Sequence, residues 1–359
     1  DGLGNFTSFE TKPKKQKRIP EILRKQRKNI GRFLNQAKTF RQEHQNIYMV
    51  KRMRSFMQFQ SILSKIKPSP EEERQLRKVV RQIISKINIK NTKPILGGSG
   101  AKNTWLRGTH DIDIYVKFKY TKFKDKSDQL ADILEKTLKK HFKIDRLHGS
   151  RDYFQIHYPP AYTVEVVPIL DITKASQAKN ITDCSQLHVK YVQKRKKLAD
   201  DIRLAKQFAK AQGVYGAESY IQGFSGYVME LLVIHSGSFM KFVRAASKWK
   251  NITLIGDKKT ANKLNPAKKI SPIIIIDPVQ SDRNAAAAIS QEKYQRFIKA
   301  CKSFLKKPSE KYFEVQDVNF EALKRKGKVL YCSVVPLQGK KDVVGAKMRK
   351  AFEYLHDQL

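Results

Sequence analysis

Four residues in the stretch ILGGSGAKNTWLRGTHDIDIYVKF, namely Gly98, Ser99, Asp111 and Asp113, bring two kinds of chemistry within reach of each other. A Gly-Gly-Ser turn lets backbone N–H groups and a hydroxyl approach a triphosphate, because glycine carries no Cβ to block the way. In Asp111-Ile112-Asp113-Ile114, residues two apart on a strand face the same side, so both carboxylates can share a pair of Mg²⁺ ions while the isoleucines pack behind. Two metals roughly 3.5–4 Å apart activate an attacking hydroxyl and stabilise the departing pyrophosphate of an in-line displacement. Gly-Ser turns and Asp-x-Asp pairs are each common as solvated loops and strand edges. Their order, their spacing and their apolar frame make nucleotidyl transfer the expected chemistry.

Such a site calls for a further carboxylate on an adjacent strand, to hold the catalytic metal and help deprotonate the attacking hydroxyl. Glu165 is the expected one. It stands in the apolar segment Thr163-Val164-Glu165-Val166-Val167-Pro168, where a charge is costly unless it meets a cleft, a cation or a metal. Asp171 has the same face parity in a continuous strand, but it follows Pro168 and sits nearer the strand end.

These residues need a scaffold. Residues 1–57 form a polar, basic extension (KPKKQKR, RKQRKNIGRF, VKRMRSF) with little to build a core, and Met49 directly precedes the patterned sequence. From Ser61, a Pro-Ser-Pro entry and Glu71–Glu73 open a helix, since acidic residues suit its positive end. Then come a strand over Ile112–Phe118, a helix around Ser127–His141 and a β-rich stretch Tyr153–Ile172. The expected fold class is α+β: a catalytic head on a small mixed sheet over 58–185. Residues 186–271 read as a helical neck, broken at Gly213 and at 223–226. A body segment over 272–317 holds the apolar run ending at Asp277-Pro278 and a helix Gln291–Leu305. The start of a tail follows over 318–359, with a strand Val329–Val335 and a helix Gly345–Leu359. No internal repeat is present.

With 359 residues, the chain is long enough for two or three domains. Lys and Arg number 73 against 33 acidic residues, a formal charge of +40 that points to a polyanionic partner, nucleic acid being the simplest. No apolar run approaches a membrane span of roughly 18 residues, and the expected setting is the cytoplasm. Cys184, Cys301 and Cys332 show no CxxC pair and no zinc spacing, so free thiols are expected.

The longer segments carry a family resemblance. KPSPEEE, ITDCSQLHVKYV, DIRLAKQFAKAQGVYGAESYIQGFSGYVMELLVIHSGSF and IIIIDPVQSDRNAAAAIS, in that order, make the chain similar to the archaeal-type (class I) CCA-adding enzymes, tRNA nucleotidyltransferases of the polymerase β-like superfamily. The resemblance covers roughly residues 60–315 well and 316–359 loosely. It implies that Asp111, Asp113 and Glu165 hold Mg²⁺. It also implies nucleotide contacts from Gly98, Ser99, Lys102, His188, Lys206 and Tyr215, and contact with the incoming base from Arg283. Asp277 is expected to shape the turn through Pro278. The chain departs from the family pattern in having Glu165 where Asp is usual and Lys102 where Arg is usual. Residues 183–188 lack the usual Arg and Pro, and family members continue into a tail beyond the last helix.

The implied activity is template-independent addition of C, C and A to the 3′ end of immature tRNA from CTP and ATP, with the tRNA acceptor stem as partner and a homodimer as one open assembly. Two rivals share the motifs: an oligoadenylate synthetase-like or poly(A)-adding enzyme, and a catalytically impaired RNA-binding module.

Overall fold

The computed structural model describes residues 59–109, 111–159 and 162–316, then 319–325, 327, 329, 331, 334, 335 and 341–358. The basic extension with Met49, and Cys332, lie outside the described residues. Residues Gln60–Leu359 form one compact unit.

The head begins with helix α1 (Pro70–Ile84). Ser69 caps it, accepting from the Glu72 N–H at 3.1 Å, while the Glu72 carboxylate accepts from the Ser69 N–H at 2.7 Å. Two of the donors that a helix start leaves orphaned are thereby satisfied, and Pro70 in the first turn gives up an N–H that had no partner to lose. Next come β1 (Thr92–Leu96), the short helix α2 (Gly98–Lys102), β2 (Asp111–Lys119), helix α3 (Leu130–Leu138), and strands β3 (Ile144–Leu147), β4 (Tyr153–Tyr158) and β5 (Tyr162–Asp171). The sheet order is β1-β2-β5-β4-β3. Only the central β2–β5 pair is parallel, so the sheet is mixed, as its sequence pattern predicts.

Period-two alternation divides this sheet into a core face and a working face. On β2, Ile112, Ile114, Val116 and Phe118 turn inward, where Val164 and Val166 of β5, Phe154 and Ile156 of β4, and Leu134 and Leu138 of α3 meet Ile83 of α1. The odd-numbered residues of β2 and β5 take the opposite face, where Tyr115 and Ile169 pack with Val189. Asp111, Asp113 and Glu165 share that face.

Helix α4 (Ser185–Gln193) packs Val189 on it, α5 (Ala199–Ala211) and α6 (Gly226–Ser236) line a cleft with Asp111 and Asp113, and α7 (Phe239–Ala246) packs on α5 and α6. The two predicted breaks fall where expected, since Gly213 has φ +65° and Ser225 caps α6; Gly237, which was not foreseen, ends α6 with φ +80°. Strand β6 (Thr253–Ile255) pairs in parallel with β7 (Ile273–Ile275), and α8 (Gln291–Lys306) packs its Phe297 against Phe208, Phe224 and Phe242. Helix α9 (Lys341–Gln358) matches the expected final helix. The strand expected over Val329–Val335 is not found among that stretch's described residues, 329, 331, 334 and 335, none of which is in a strand. Cys184 and Cys301 are free and buried.

Candidate active site

Strand register sets the acidic residues. Asp113 lies directly beside Glu165 across the parallel β2–β5 pair, and Asp111 lies two residues along on the same face. Burial, with the Asp111 charge adding to it, pushes the Asp113 carboxyl up against the pull of Lys102 and Lys206. Two crowded carboxylates and an all-oxygen donor set suit a hard cation. The trio is not gathered round one point: among the described residues, no three His, Cys, Asp or Glu side chains stand grouped as a metal set. Asp171 lies six positions from Glu165 along the strand, roughly 20 Å, and forms a 2.7 Å ion pair with Lys117.

The Gly-Gly-Ser segment sits against this face as a helical turn. The Gly97 N–H donates to Asp113 O at 2.8 Å and the Gly98 N–H to the Tyr115 hydroxyl at 3.3 Å. Two of the N–H groups expected to face phosphate therefore hold the turn to β2. A Cβ at Gly97 would come within 2.6 Å of the Tyr115 ring, and one at Gly98 would overlap the Asp113 carboxylate. Both positions need glycine for close approach.

Opposite, a cleft of about 300 Å³ opens between head and helices, lined by Ser99, Lys102, Asp111, Asp113, Lys206 and Tyr215 among others. Six of the sequence-predicted residues thus share one space. Tyr215 is largely buried and its phenol is pushed up, mainly by burial and then by Glu230.

Sequence reading missed Glu230 and Lys210, which line the same cleft. Glu230 is only 1% exposed. Its carboxylate accepts from Lys102 Nζ at 2.8 Å, from Lys206 Nζ at 2.8 Å and from the Thr104 hydroxyl at 2.6 Å. Lys206 also donates to Thr104 O at 3.2 Å and Thr104 Oγ1 at 3.0 Å, which occupies all three of its protons. The two lysines hold the Glu230 carboxyl down to about 2 despite burial, which opposes them. The signal was a lone acid in the apolar segment GYVMELLVIHS, the same argument that singled out Glu165. Lys210 stands one turn beyond Lys206 on α5, with its Nζ 5.5 Å from the centre of the Tyr215 ring.

His188 and Arg283 lie outside this lining and meet instead at Asp277. Arg283 Nη1 donates to Asp277 Oδ2 at 2.8 Å, the Tyr227 hydroxyl donates to Oδ1 at 3.0 Å, and the Val279 N–H donates to Oδ1 at 2.9 Å. His188 Nε2 approaches Asp277 Oδ2 to 3.2 Å, an ion-pair distance without hydrogen-bond alignment. His188 first, then the Val279 N–H and Arg283, hold the Asp277 carboxyl down to about 2 against its burial. Tyr227 joins the two clusters, since its ring stacks on His188 with centres 4.3 Å apart and Lys102 Nζ lies 5.2 Å from its centre. Asp277 shapes its turn, as expected, and also anchors the guanidinium of Arg283.

Residues 200–314 match the family described as tRNA nucleotidyltransferase, second domain, and residues 53–190 match the Second Messenger Oligonucleotide or Dinucleotide Synthetase domain. The CCA-adding enzyme of Methanosarcina mazei is 35% identical over 262 residues, 70% of this chain and 57% of that protein. That of Pyrobaculum aerophilum is 39% identical over 261 residues, 69% of this chain and 59% of that protein. The chain spans between half and two thirds of the length of these relatives. Among solved structures, a cytoplasmic RNA terminal U-transferase superposes with a TM-score of 0.58 at 12% identity, covering 72% of this chain and 98% of that one. The terminal uridylyl transferase Cid1 gives 0.59 at 12% identity, covering 75% and 99%; these two share the fold. Over the sequence it shares with them, the chain belongs to the family of archaeal CCA-adding enzymes.

Proposed function

We propose that this chain adds C, C and A in succession to the 3′ end of tRNA lacking them, using CTP and ATP without a template and releasing pyrophosphate. The observation that carries this reading is the cleft itself, whose lining brings Asp111 and Asp113 together with Lys102, Lys206 and Lys210. Carboxylates beside lysines make a site for a negatively charged triphosphate and a cation together.

Asp111 and Asp113, with Glu165 on the neighbouring strand, would hold divalent metal, Mg²⁺ being the choice that all-oxygen donors favour. When bound, such ions activate the primer hydroxyl and stabilise charge on the transferring phosphoryl group. The chain's own residues do the rest. Ser99 and the lysines orient the triphosphate, Tyr215 closes one side of the cleft, and Gly98 lets the turn approach Asp113. Arg283, two thirds covered and held by Asp277, presents its planar donors to the incoming base. The formal charge of +40 supplies attraction for the tRNA acceptor stem. A cytoplasmic setting fits the absence, among the described residues, of any helix long and apolar enough to cross a membrane.

The test is Asp113→Ala, which removes a cleft-wall carboxylate. Incorporation of both nucleotides into tRNA lacking its CCA end should vanish while circular dichroism is unchanged. Normal turnover in that variant would overturn the proposal.

A further inference from the structure

Glu230 lies on a helix whose other buried residues, Val228, Met229, Leu231, Leu232 and Val233, are all apolar. A carboxylate at such a position costs several kcal/mol unless it is paired and hydrogen-bonded. Replacing a buried ion group by packed apolar side chains is often neutral or stabilising, so stability alone is a weak reason for it to be there. What an apolar residue cannot do is fix the direction of two ammonium groups. Glu230 does so from both sides of the cleft: Oε2 takes Lys102, which the head supplies on α2, and Oε1 takes Lys206, which the neck supplies on α5.

Thr104 completes the arrangement. Its hydroxyl donates to Glu230 Oε1 and accepts from Lys206. Lys206 is therefore locked by three hydrogen bonds, whereas Lys102 spends one of its protons on Glu230 and keeps two for the cleft. The adjoining stretch is clamped as well, because buried Arg203 donates to Trp105 O at 3.1 Å and to Asn103 Oδ1 at 2.7 Å. A lysine side chain carries four rotatable bonds, and a cation that must find its place on binding forfeits affinity in lost rotamer freedom.

We propose that Glu230 is a positioning residue for the triphosphate of the incoming nucleotide: one buried carboxylate holds Lys102 of the head and Lys206 of the neck at a fixed spacing on the cleft wall before substrate arrives. The inference rests on the nucleotide-transfer reading above. It adds a residue that acts through the phosphates, so its effect is the same for CTP and ATP.

The experiment compares wild type with Glu230→Gln, which keeps shape and removes charge, and with Thr104→Val. KM for CTP and for ATP should rise together on the order of tenfold in Glu230→Gln, as expected for loss of a charge-assisted hydrogen bond. The turnover number should stay within about threefold. Inhibition by inorganic tripolyphosphate should weaken by the same factor as KM rises. Thr104→Val should move KM the same way by roughly threefold, and it carries the test if Glu230→Gln fails to fold. A lower melting temperature and turnover with unchanged KM and unchanged tripolyphosphate inhibition would make Glu230 purely structural and overturn the inference. If wild type incorporates no nucleotide, the functional reading falls. Calorimetric binding of tripolyphosphate to wild type and Glu230→Gln then still decides, equal affinities overturning the role of Glu230.

Discussion

Gly98 closes directly over Asp113. Its backbone has φ +51°, and a β-carbon built on it would occupy the space of the Asp113 carboxylate oxygen. The glycine is thus required twice, by conformation and by contact. Gly98→Ala should cost about 1–2 kcal/mol of stability through left-handed strain. It should reduce incorporation by more than about a hundredfold, because the carboxylate must move from the position the chemistry needs. Denaturant melts and initial rates measured side by side check both parts. Near-normal rates would show that Asp113 tolerates displacement.

Lys210 brings a cation to the cleft next to the acidic face. Burial pulls its ammonium down from the ordinary lysine range, and Asp111 opposes that pull. Lys210→Met should lower kcat/KM for both nucleotides by roughly tenfold, the scale of a charge-assisted contact, with little change in melting temperature. Unchanged kinetics would exclude it from substrate binding.

Arg203 is 1% exposed and ties α5 to the segment that follows α2. Removing the guanidinium strands Trp105 O in the interior and frees the exposed Asn103 side chain. Arg203→Met should therefore cost roughly 3 kcal/mol, and Arg203→Lys should recover only part, since an ammonium cannot reproduce the planar fork. Urea unfolding midpoints provide the check.

Glu230 and Asp277 are both held down to about 2, from ordinary values of 4.5 and 3.8. A carboxyl depressed in the folded state contributes stability that is complete above its unfolded value and is lost as pH falls through its folded value. Acid should therefore weaken the protein from about pH 4.5 down towards pH 2, Glu230 accounting for roughly 3 kcal/mol. Unfolding free energy followed over that window should fall less steeply in Glu230→Gln than in wild type; identical slopes would contradict the assignment.

The central strands and the acidic pair were legible because alternation and a charge in an apolar run are local signals. The unforeseen strands of the head sheet, β1 and β3, are its two edges. Thr92–Leu96 carries Lys93 and Pro94, and Ile144–Leu147 has charges at both central positions. Edge strands tolerate such residues because one side of their backbone meets no partner, so the pattern that reveals a buried strand is missing. Glu165 was expected on an adjacent strand because it is a lone charge in an apolar run, and it lies beside Asp113. The joint hold of Glu230 on Lys102 and Lys206 was not readable, since it joins residues 128 and 24 positions apart on three helices. His188 and Arg283 likewise converge on Asp277 through tertiary packing.

The most direct measurement is incorporation of labelled CTP and ATP, alone and together, into tRNA transcripts ending at the discriminator base, at C and at CC, with Mg²⁺ present. The account predicts two C residues from CTP alone on the shortest transcript and a single A added only to the transcript ending in CC. ATP-only tails of mixed length, or RNA binding with no incorporation, would contradict it.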